Sequence, residues 1–544
     1  MTSSPRPEGF DPFVVEMLWA RLVAIVDEAA AALVRTSFSV IVRESKDFCC
    51  VLMDDAGNSL AQNTVTVPSF VGTLPRTMKH FLRRFPRETW QPGDVAITND
   101  PWMGTGHLPD VTVVLPVFVG GRLVAFAGAV AHMPDIGGRI YSADSTELYE
   151  EGLGLPMCKL YEAGRPNELL IEIIRTNVRV PDQTMGDMHA EISSCRVMSR
   201  RLAEMMQEHG LADLRLLAKE IHERSAHAMR EAVRALPDGT YCADLETDRI
   251  DGQNLRIAVA VTIAGDRVHC DYAGTSPQVR RGINAVYNCT FAHTAYYLKC
   301  ALDPDLPNNE GALSPLTVSV PEGSLLNPRR PAPVNARQII LHYLHAVMFG
   351  ALGQAAPDRV IAHCGAPSNR TVLAGTRNDG SAFNVLLFTS GGMGGRHDKD
   401  GLACTTFPTN SGASSVEVVE STTPILYRRK SLRPDSGGPG RYRGGLGQTI
   451  EIEILADEPV NVSFLMDRIE HPALGIQGGG AGAPSTLRLV NRPLDLPPKG
   501  RVVLERGDVI EIGCAGGGGF GPVEARDPAL IAEDLRQGYV TAAR

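Results

Sequence analysis

Residues 107–135 read HLPD-VTVVLPVFV-GG-RLVAFAGAVA-HMPD. Two near-continuous apolar runs, Val111–Val119 and Leu123–Ala131, are joined through Gly120-Gly121, which is the strongest hairpin signal in the chain. The same stretch carries histidines and carboxylates, the usual nitrogen and oxygen ligands of Zn, Mn and Fe. His107 and Asp110 precede the first strand, and His132 and Asp135 follow the second, so a hairpin gathers them at one end. Two registers are open. A two-residue loop pairs Val119 with Arg122 and sets Asp110 opposite Ala131, leaving His132 on the other face. A three-residue loop with a bulge pairs Asp110 with His132 on one face. Alternatively, Pro109 and Pro134 end the ladder and the side chains reach out beyond it.

Working outward, Asn99-Asp100-Pro101 lies just upstream and adds a further carboxylate. Arg43-Glu44-Ser45-Lys46-Asp47 stands before the apolar run Phe48–Met53. On residues alone Asp47 reads as a charged strand end in solvent, with a further oxygen ligand as the other reading. Asp11-Pro12 has the form of a helix start, followed by an Ala/Leu/Val-rich helix to Val34. Residues 38–67 read as strands about an Asp55-Ala56-Gly57-Asn58 turn. Asp187–Glu208 and Leu211–Ala235 read as a helical hairpin, whose methionines (Met188, Met198, Met205, Met206) suit packing. Beyond Gly239 come strands at Ile257–Ile263 and Val268–Tyr272, and helices at Tyr287–Leu302 and Ile339–Gln354. The proline-rich stretch 303–335 reads as an extended surface connection. After about residue 360 the chain turns Gly- and strand-rich, closing with a short helix after Asp527-Pro528.

The fold class expected is therefore α+β (mixed α/β) and multi-domain. The divisions are 1–240 with the hairpin and helical pair, 241–340 as a middle α/β segment, and 341–544 as a Gly-rich β domain. A length of 544 residues is room for roughly three to four domains. With 43% hydrophobic and 21% charged residues the chain builds its own core, so no disulfide framework is needed. The net charge of −9 disfavours a nucleic-acid backbone binder. Eleven cysteines without a C-x-x-C pair read as reduced thiols. Adjacent Cys49 and Cys50 suit the two faces of one buried strand. The polar start, Met1 to Asp11, is no secretory signal, and no apolar run is long enough to span a membrane. The expectation is a cytoplasmic protein.

The glycine clusters 391–395, 437–440, 444–445, 478–480 and 516–519 invite a phosphate-loop reading, but none has the form G-x-x-x-x-G-K-[ST]. Tight turns between strands are the role expected of most of them. Arg441 and Arg443 could meet an anion, though surface arginines are commoner. There is no G-x-S-x-G elbow and no H-E-x-x-H.

Several phrases together resemble the hydantoinase B/oxoprolinase family. They are Asp47-Phe48-Cys49-Cys50, Thr98-Asn99-Asp100-Pro101, His107-Leu108-Pro109-Asp110, His132-Met133-Pro134-Asp135-Ile136-Gly137-Gly138, and Glu151-Gly152-Leu153 with Lys159-Leu160-Tyr161. Pro307-Asn308-Asn309-Glu310-Gly311, Asp435-Ser436-Gly437-Gly438-Pro439-Gly440 with Arg443-Gly444-Gly445-Leu446-Gly447, and the Cys514–Gly521 tail follow in order. The resemblance implies a B-type subunit that works with an ATP-binding hydantoinase A-type partner in a hetero-oligomer, ATP and Mg sitting on that partner. It places one divalent metal (Zn, Mn or Fe) on His107, Asp110 and His132, with Asp47 as a fourth ligand. The activity implied is ATP-dependent hydrolysis of a cyclic amide, such as a hydantoin, 5-oxoproline or a related lactam. Phosphorylation by the partner makes the carbonyl a better electrophile, and the metal supplies hydroxide near neutral pH. Asp135 and Asp100 are the candidate catalytic carboxylates, Asp135 taking a proton or orienting His132.

Two departures bear on substrate: Phe70 stands where the family segment carries a histidine, and Ser45 where a basic residue is common. The alternatives are a subunit of an acetone/acetophenone-type carboxylase, for which the chain is short, and a non-catalytic scaffold.

Overall fold

The hairpin forms the middle of an antiparallel sheet. The computed structural model describes residues 10–366 and 369–542; the opening polar residues 1–9, read above as no signal, lie outside the described residues. Strands β1 (Phe48–Asp54), β2 (Ser59–Gln62), β3 (Val95–Thr98), β4 (Asp110–Val119), β5 (Arg122–His132), β6 (Cys158–Glu162) and β7 (Arg165–Pro166) run in the order β2-β1-β5-β4-β3-β6-β7.

Gly120 and Gly121 both take positive φ, 56° and 76°, as a two-residue turn of this hand requires, and Val119 pairs with Arg122. Phe118 pairs with Leu123 but Val117 with Ala125, so Val124 is an extra, bulged residue. The bulge shifts the ladder by one, and Asp110 comes to face His132. The turn is thus that of the two-residue loop, and the pairing is that of the longer one.

Both faces of this sheet are covered, which is why β4 and β5 lack polar alternation. On one face Cys50, Leu52, Val111, Val113, Ala127 and Ala129 pack with helix α1 (Pro12–Thr36) and helix Pro181–Glu208. On the other, Cys49, Val51, Val114, Phe126 and Val130 pack with Leu74, Met78 and Phe81 of helix Thr73–Arg84. Cys49 and Cys50 do point to opposite faces. Asp11 accepts the Phe13 N–H at 2.8 Å and starts α1. The helical pair is present as Pro181–Glu208 and Arg215–Arg234, its four named methionines buried.

A second sheet holds β8 (Gly239–Glu246), β9 (Arg256–Ala264), β10 (Arg267–Asp271) and β11 (Leu316–Ser319), in the order β11-β10-β9-β8. Residues 303–335 are thus more than a connection, because β11 pairs in parallel with β10. The helix expected over 339–354 is broken into Gln338–Leu341 and Leu344–Ala355. The break places His342 and Tyr343 in the intervening turn.

The last part consists of β12 (Asn369–Thr376), β13 (Ala382–Thr389), β14 (Ile425–Leu432), β15 (Gln448–Ile454), β16 (Val460–Leu465), β17 (Thr486–Leu489), β18 (Lys499–Leu504) and β19 (Val509–Gly513). They form two sheets, β13-β12-β16-β18 and β14-β15-β19-β17, that enclose a core including Phe383, Ile452, Phe464 and Ile512. The main core draws on residues from Val15 to Val360 and reaches Val372, Phe388 and Leu465.

The glycine clusters are not chiefly turns. Gly392, Gly394, Gly444, Gly445 and Gly516–Gly519 keep φ outside the left-handed region. Instead, a Cβ on Gly392 would overlap the Gly445 carbonyl, one on Gly444 the Gly517 carbonyl, and one on Gly516 the Ser436 carbonyl. These segments stack backbone on backbone, bonded through Gly445 N–H to Met393 O (2.7 Å) and Gly517 N–H to Gly445 O (3.0 Å). Arg443 does not await an anion either, since its Nε lies 3.1 Å from Asp534 Oδ2 of the closing helix Pro528–Arg536. Among the described residues no helix is long and apolar enough to cross a membrane.

Candidate metal centre

The bulge-corrected register sets His132 beside Asp110, and the loop before β4 folds His107 back onto both. One ligand atom from each of the three lies within 4.8 Å of the others, and all three residues are buried. The hydrogen bonds fix the imidazoles. His107 Nδ1 lies 2.7 Å from the Asn335 carbonyl oxygen, and His132 Nδ1 lies 2.9 Å from that of Met133. A carbonyl only accepts, so each Nδ1 carries the proton and each Nε2 presents a lone pair.

His132 Nε2 is buried with no hydrogen-bond partner. His107 Nε2 faces Asp110 Oδ1 at 2.7 Å. Burial, then the charge of Arg337, pushes the His107 pKa down; burial and His107 push His132 down to about 3. Two neutral imidazole lone pairs and a carboxylate therefore converge on one point, an arrangement that a cation resolves. Although burial opposes it, His107 and Arg337 keep the Asp110 carboxyl ionised, far below its usual range. Asp110 Oδ2 accepts from Arg337 Nη2 at 2.7 Å and from the Thr105 hydroxyl at 2.8 Å. The Tyr141 ring packs edge-on against both imidazoles.

This cluster borders a narrow cleft whose other lining residues include Phe70, His293, Arg337, His342 and Arg370. Asp47 lines it too. It is 8% exposed, which corrects its reading as a solvent-facing strand end. The His132 N–H donates to the Asp47 carbonyl at 3.0 Å and draws the residue under the hairpin. Burial and the Asp110 charge raise its pKa to about 7. Asp47 stands outside the tight group of three ligand atoms. Phe70 is buried at the cavity wall, and Ser45 is buried but does not line the cavity. A larger, mostly apolar cavity of about 690 Å³ shares His132 and Tyr141 with the first.

The two other sequence-derived carboxylates face elsewhere, and neither lines these cavities. Asp135 accepts from Arg179 Nη1 at 2.7 Å and from the Arg179 peptide N–H. Asp100 accepts from the Trp102 N–H at 3.0 Å and pairs with Arg330, which stacks on Trp102. Conversely, Tyr141, His293, Arg337, His342 and Arg370 escaped sequence reading. Each sits in an unremarkable phrase, most of them at least 160 residues from the hairpin, and only the fold brings them to the cavity.

An antiparallel hairpin with a buried two-histidine, one-aspartate set at its end, facing an arginine-lined cavity, defines a candidate metal-dependent enzyme. The chain belongs to the hydantoinase B/oxoprolinase family, whose model matches residues 11–523. A protein of Pseudomonas sp. (strain NS671), named provisionally as the B-type subunit of a D-/L-hydantoinase, is 31% identical, over 98% of this chain and 93% of that protein. The crystal structure of an ATP-dependent caprolactamase from Pseudomonas jessenii aligns with a TM-score of 0.90 at 28% identity, over 98% of this chain and 94% of the other. The nucleotide-free structure of an acetone carboxylase aligns with a TM-score of 0.88 at 21% identity, over 97% of this chain and 78% of that one, a likeness of fold.

Proposed function

We propose that the chain is the B-type subunit of an ATP-dependent amidohydrolase, which opens a cyclic amide of the hydantoin, 5-oxoproline or lactam type. An A-type partner activates that amide by phosphorylation. The observation that carries the reading is the donor set: the buried, unpartnered His132 Nε2 and the lone-pair contact between His107 Nε2 and Asp110. These donors fit a divalent ion of the Zn, Mn or Fe kind, with Asp47 as a further oxygen ligand from the same cavity. Such an ion supplies Lewis acidity and brings the pKa of water toward neutrality. The protein's own residues do the rest. The Asn335 and Met133 carbonyls fix the imidazole tautomers, and Arg337 orients Asp110. Arg337 and Arg370 make the cavity attractive to an anionic, phosphorylated substrate. Asp135 and Asp100 serve as positioning residues, the first holding the segment after His132 through Arg179 and the second the loop before His107.

The net reaction exchanges the ring C–N bond for a C–O bond and consumes two waters. One supplies the carboxylate oxygen as the ring nitrogen leaves, protonated, as an amine from a lactam or as a ureido nitrogen from a hydantoin. The second releases the phosphoryl group as inorganic phosphate. The missing P-loop supports placing ATP on a partner, as does the name of the hydantoinase relative, which makes it one component of a larger enzyme. The test is elemental analysis of wild type and the His107→Ala/His132→Ala variant, each purified without added metal. About one divalent ion per chain, lost in the variant, is expected; a wild type that stays metal-free after reloading overturns the reading. With partner and ATP, bicarbonate dependence without an amine product would replace hydrolysis by carboxylation.

A further inference from the structure

Helix Tyr287–Leu302 has two working faces. His293 lines the metal-site cleft and Cys289 contacts Arg337, while Phe291, half a helical turn away, lines a separate open recess. That recess holds about 460 Å³, in the range of sites that take a small organic molecule. Its other wall is helix Thr73–Arg84, where Arg76, Lys79, His80 and Arg83 recur at the three- and four-residue spacing of one helical face. Against them the lining offers one carboxylate, Glu310, which Lys79 Nζ takes at 2.8 Å. The nearby Asp100 is already paired with Arg330. Arg76 and Arg83 have no carboxylate partner among the described residues. Arg76 is nevertheless held in place, its guanidinium carbon 3.8 Å from the Phe291 ring centroid and 5.6 Å from that of Tyr287. Such a stack uses the guanidinium face and leaves the N–H edge to bind something else. Burial and, after it, the charge of Arg83 lower the His80 pKa, Arg76 adding to the effect while Asp100 opposes it.

Arg76, Lys79 and Arg83 against Glu310 leave an excess of two positive charges in one recess of a chain whose net charge is −9. Guanidinium forks match the paired oxygens of a phosphate or a carboxylate. The recess is too large for one inorganic anion to fill. We propose that it binds a small organic polyanion, a molecule bearing two or more phosphate or carboxylate groups. Arg76, fixed on Phe291, is the anchor; Arg83 at the rim and Lys79 supply the remaining charge. The proposal does not depend on the reading of the metal centre.

The test is calorimetric titration of the full chain with pyrophosphate and, separately, with tricarballylate, the ratio of the two affinities identifying which acid group the recess prefers. Binding of at least one of them is expected, about tenfold weaker in Arg76→Gln and about threefold weaker in the more exposed Arg83→Gln. Arg83 is exposed and packs on nothing, so that variant stays informative should Arg76→Gln misfold. Glu310→Gln removes the one opposing carboxylate and frees Lys79, so binding should tighten. The surface variant Arg501→Gln should leave it unchanged. Because pyrophosphate also chelates divalent ions, the titration is repeated on His107→Ala/His132→Ala, where binding should persist. No binding of either polyanion by wild type, unchanged affinity in Arg83→Gln, weaker binding in Glu310→Gln, or loss of binding in the double-histidine variant would each overturn the proposal. Metal content, measured separately, decides the preceding one.

Discussion

The hairpin end at Asp110 and His132 and the glycine layer around Gly392, Gly445 and Gly517 are both buried, yet they are built on opposite terms. At the hairpin end, side chains carry the structure: an imidazole on a carboxylate, that carboxylate on Arg337, and carbonyls on both imidazoles. In the glycine layer the absence of side chains is the design. Backbones from four distant segments approach closely enough to hydrogen-bond, and a methyl group has no room. A removed group should therefore harm the first region, and an added group the second.

The largest effect is expected from Gly445→Ala, whose Cβ would overlap the Leu402 carbonyl and can be relieved only by moving backbone. A loss of about 5 kcal/mol, seen as a collapsed urea midpoint and early proteolysis after residue 360, is the expected outcome. A mild effect would break the contrast. Asp110→Ala comes next. It leaves Arg337 buried and without its carboxylate, at a cost of about 4 kcal/mol by the same unfolding assay, and it abolishes metal retention.

Glu151 sharpens the picture of the hairpin end, because it accepts from the Val334 and Asn335 N–H groups and so steadies the carbonyl under His107. Burial raises its pKa from 4.5 to about 7, against hydrogen bonds from Ser145 and those peptides. The folded state then keeps a proton that the unfolded chain has released. Its contribution is full below the unfolded value and is lost as pH rises from about 4.5 to 7, by up to about 3 kcal/mol. Glu151→Gln should remove that part of the pH slope; an unchanged slope between pH 5 and 7.5 would show that Glu151 is not its source. The smallest effect is expected at Gly120→Ala. Space is open there, and only the positive φ resists, so about 1 kcal/mol is expected.

The same contrast explains what is legible in the chain. Apolar runs, Gly-Gly and flanking His/Asp phrases are local signals, so the hairpin and the candidate ligands His107, Asp110 and His132 at its end are read directly. Register is not, because a bulge at Val124 leaves no mark in an unbroken apolar run. Asp47 reads wrongly on residues alone because its burial depends on a backbone bond from His132, more than eighty residues away. The glycine clusters read as turns because a turn and a close approach both demand glycine, and the sequence does not say which constraint applies.

By itself the sequence supplied most of the elements and the three side chains that converge at the hairpin end, through periodicity and adjacency to a turn, while the family was legible from the resemblance of its motif phrases. Only the tertiary structure decided that Asp135 and Asp100 face Arg179 and Arg330, and that Arg337 and Arg370 flank the cavity. Those are facts of long-range packing: which charge is neutralised, and which donor is left over, depends on partners that chain order does not bring together.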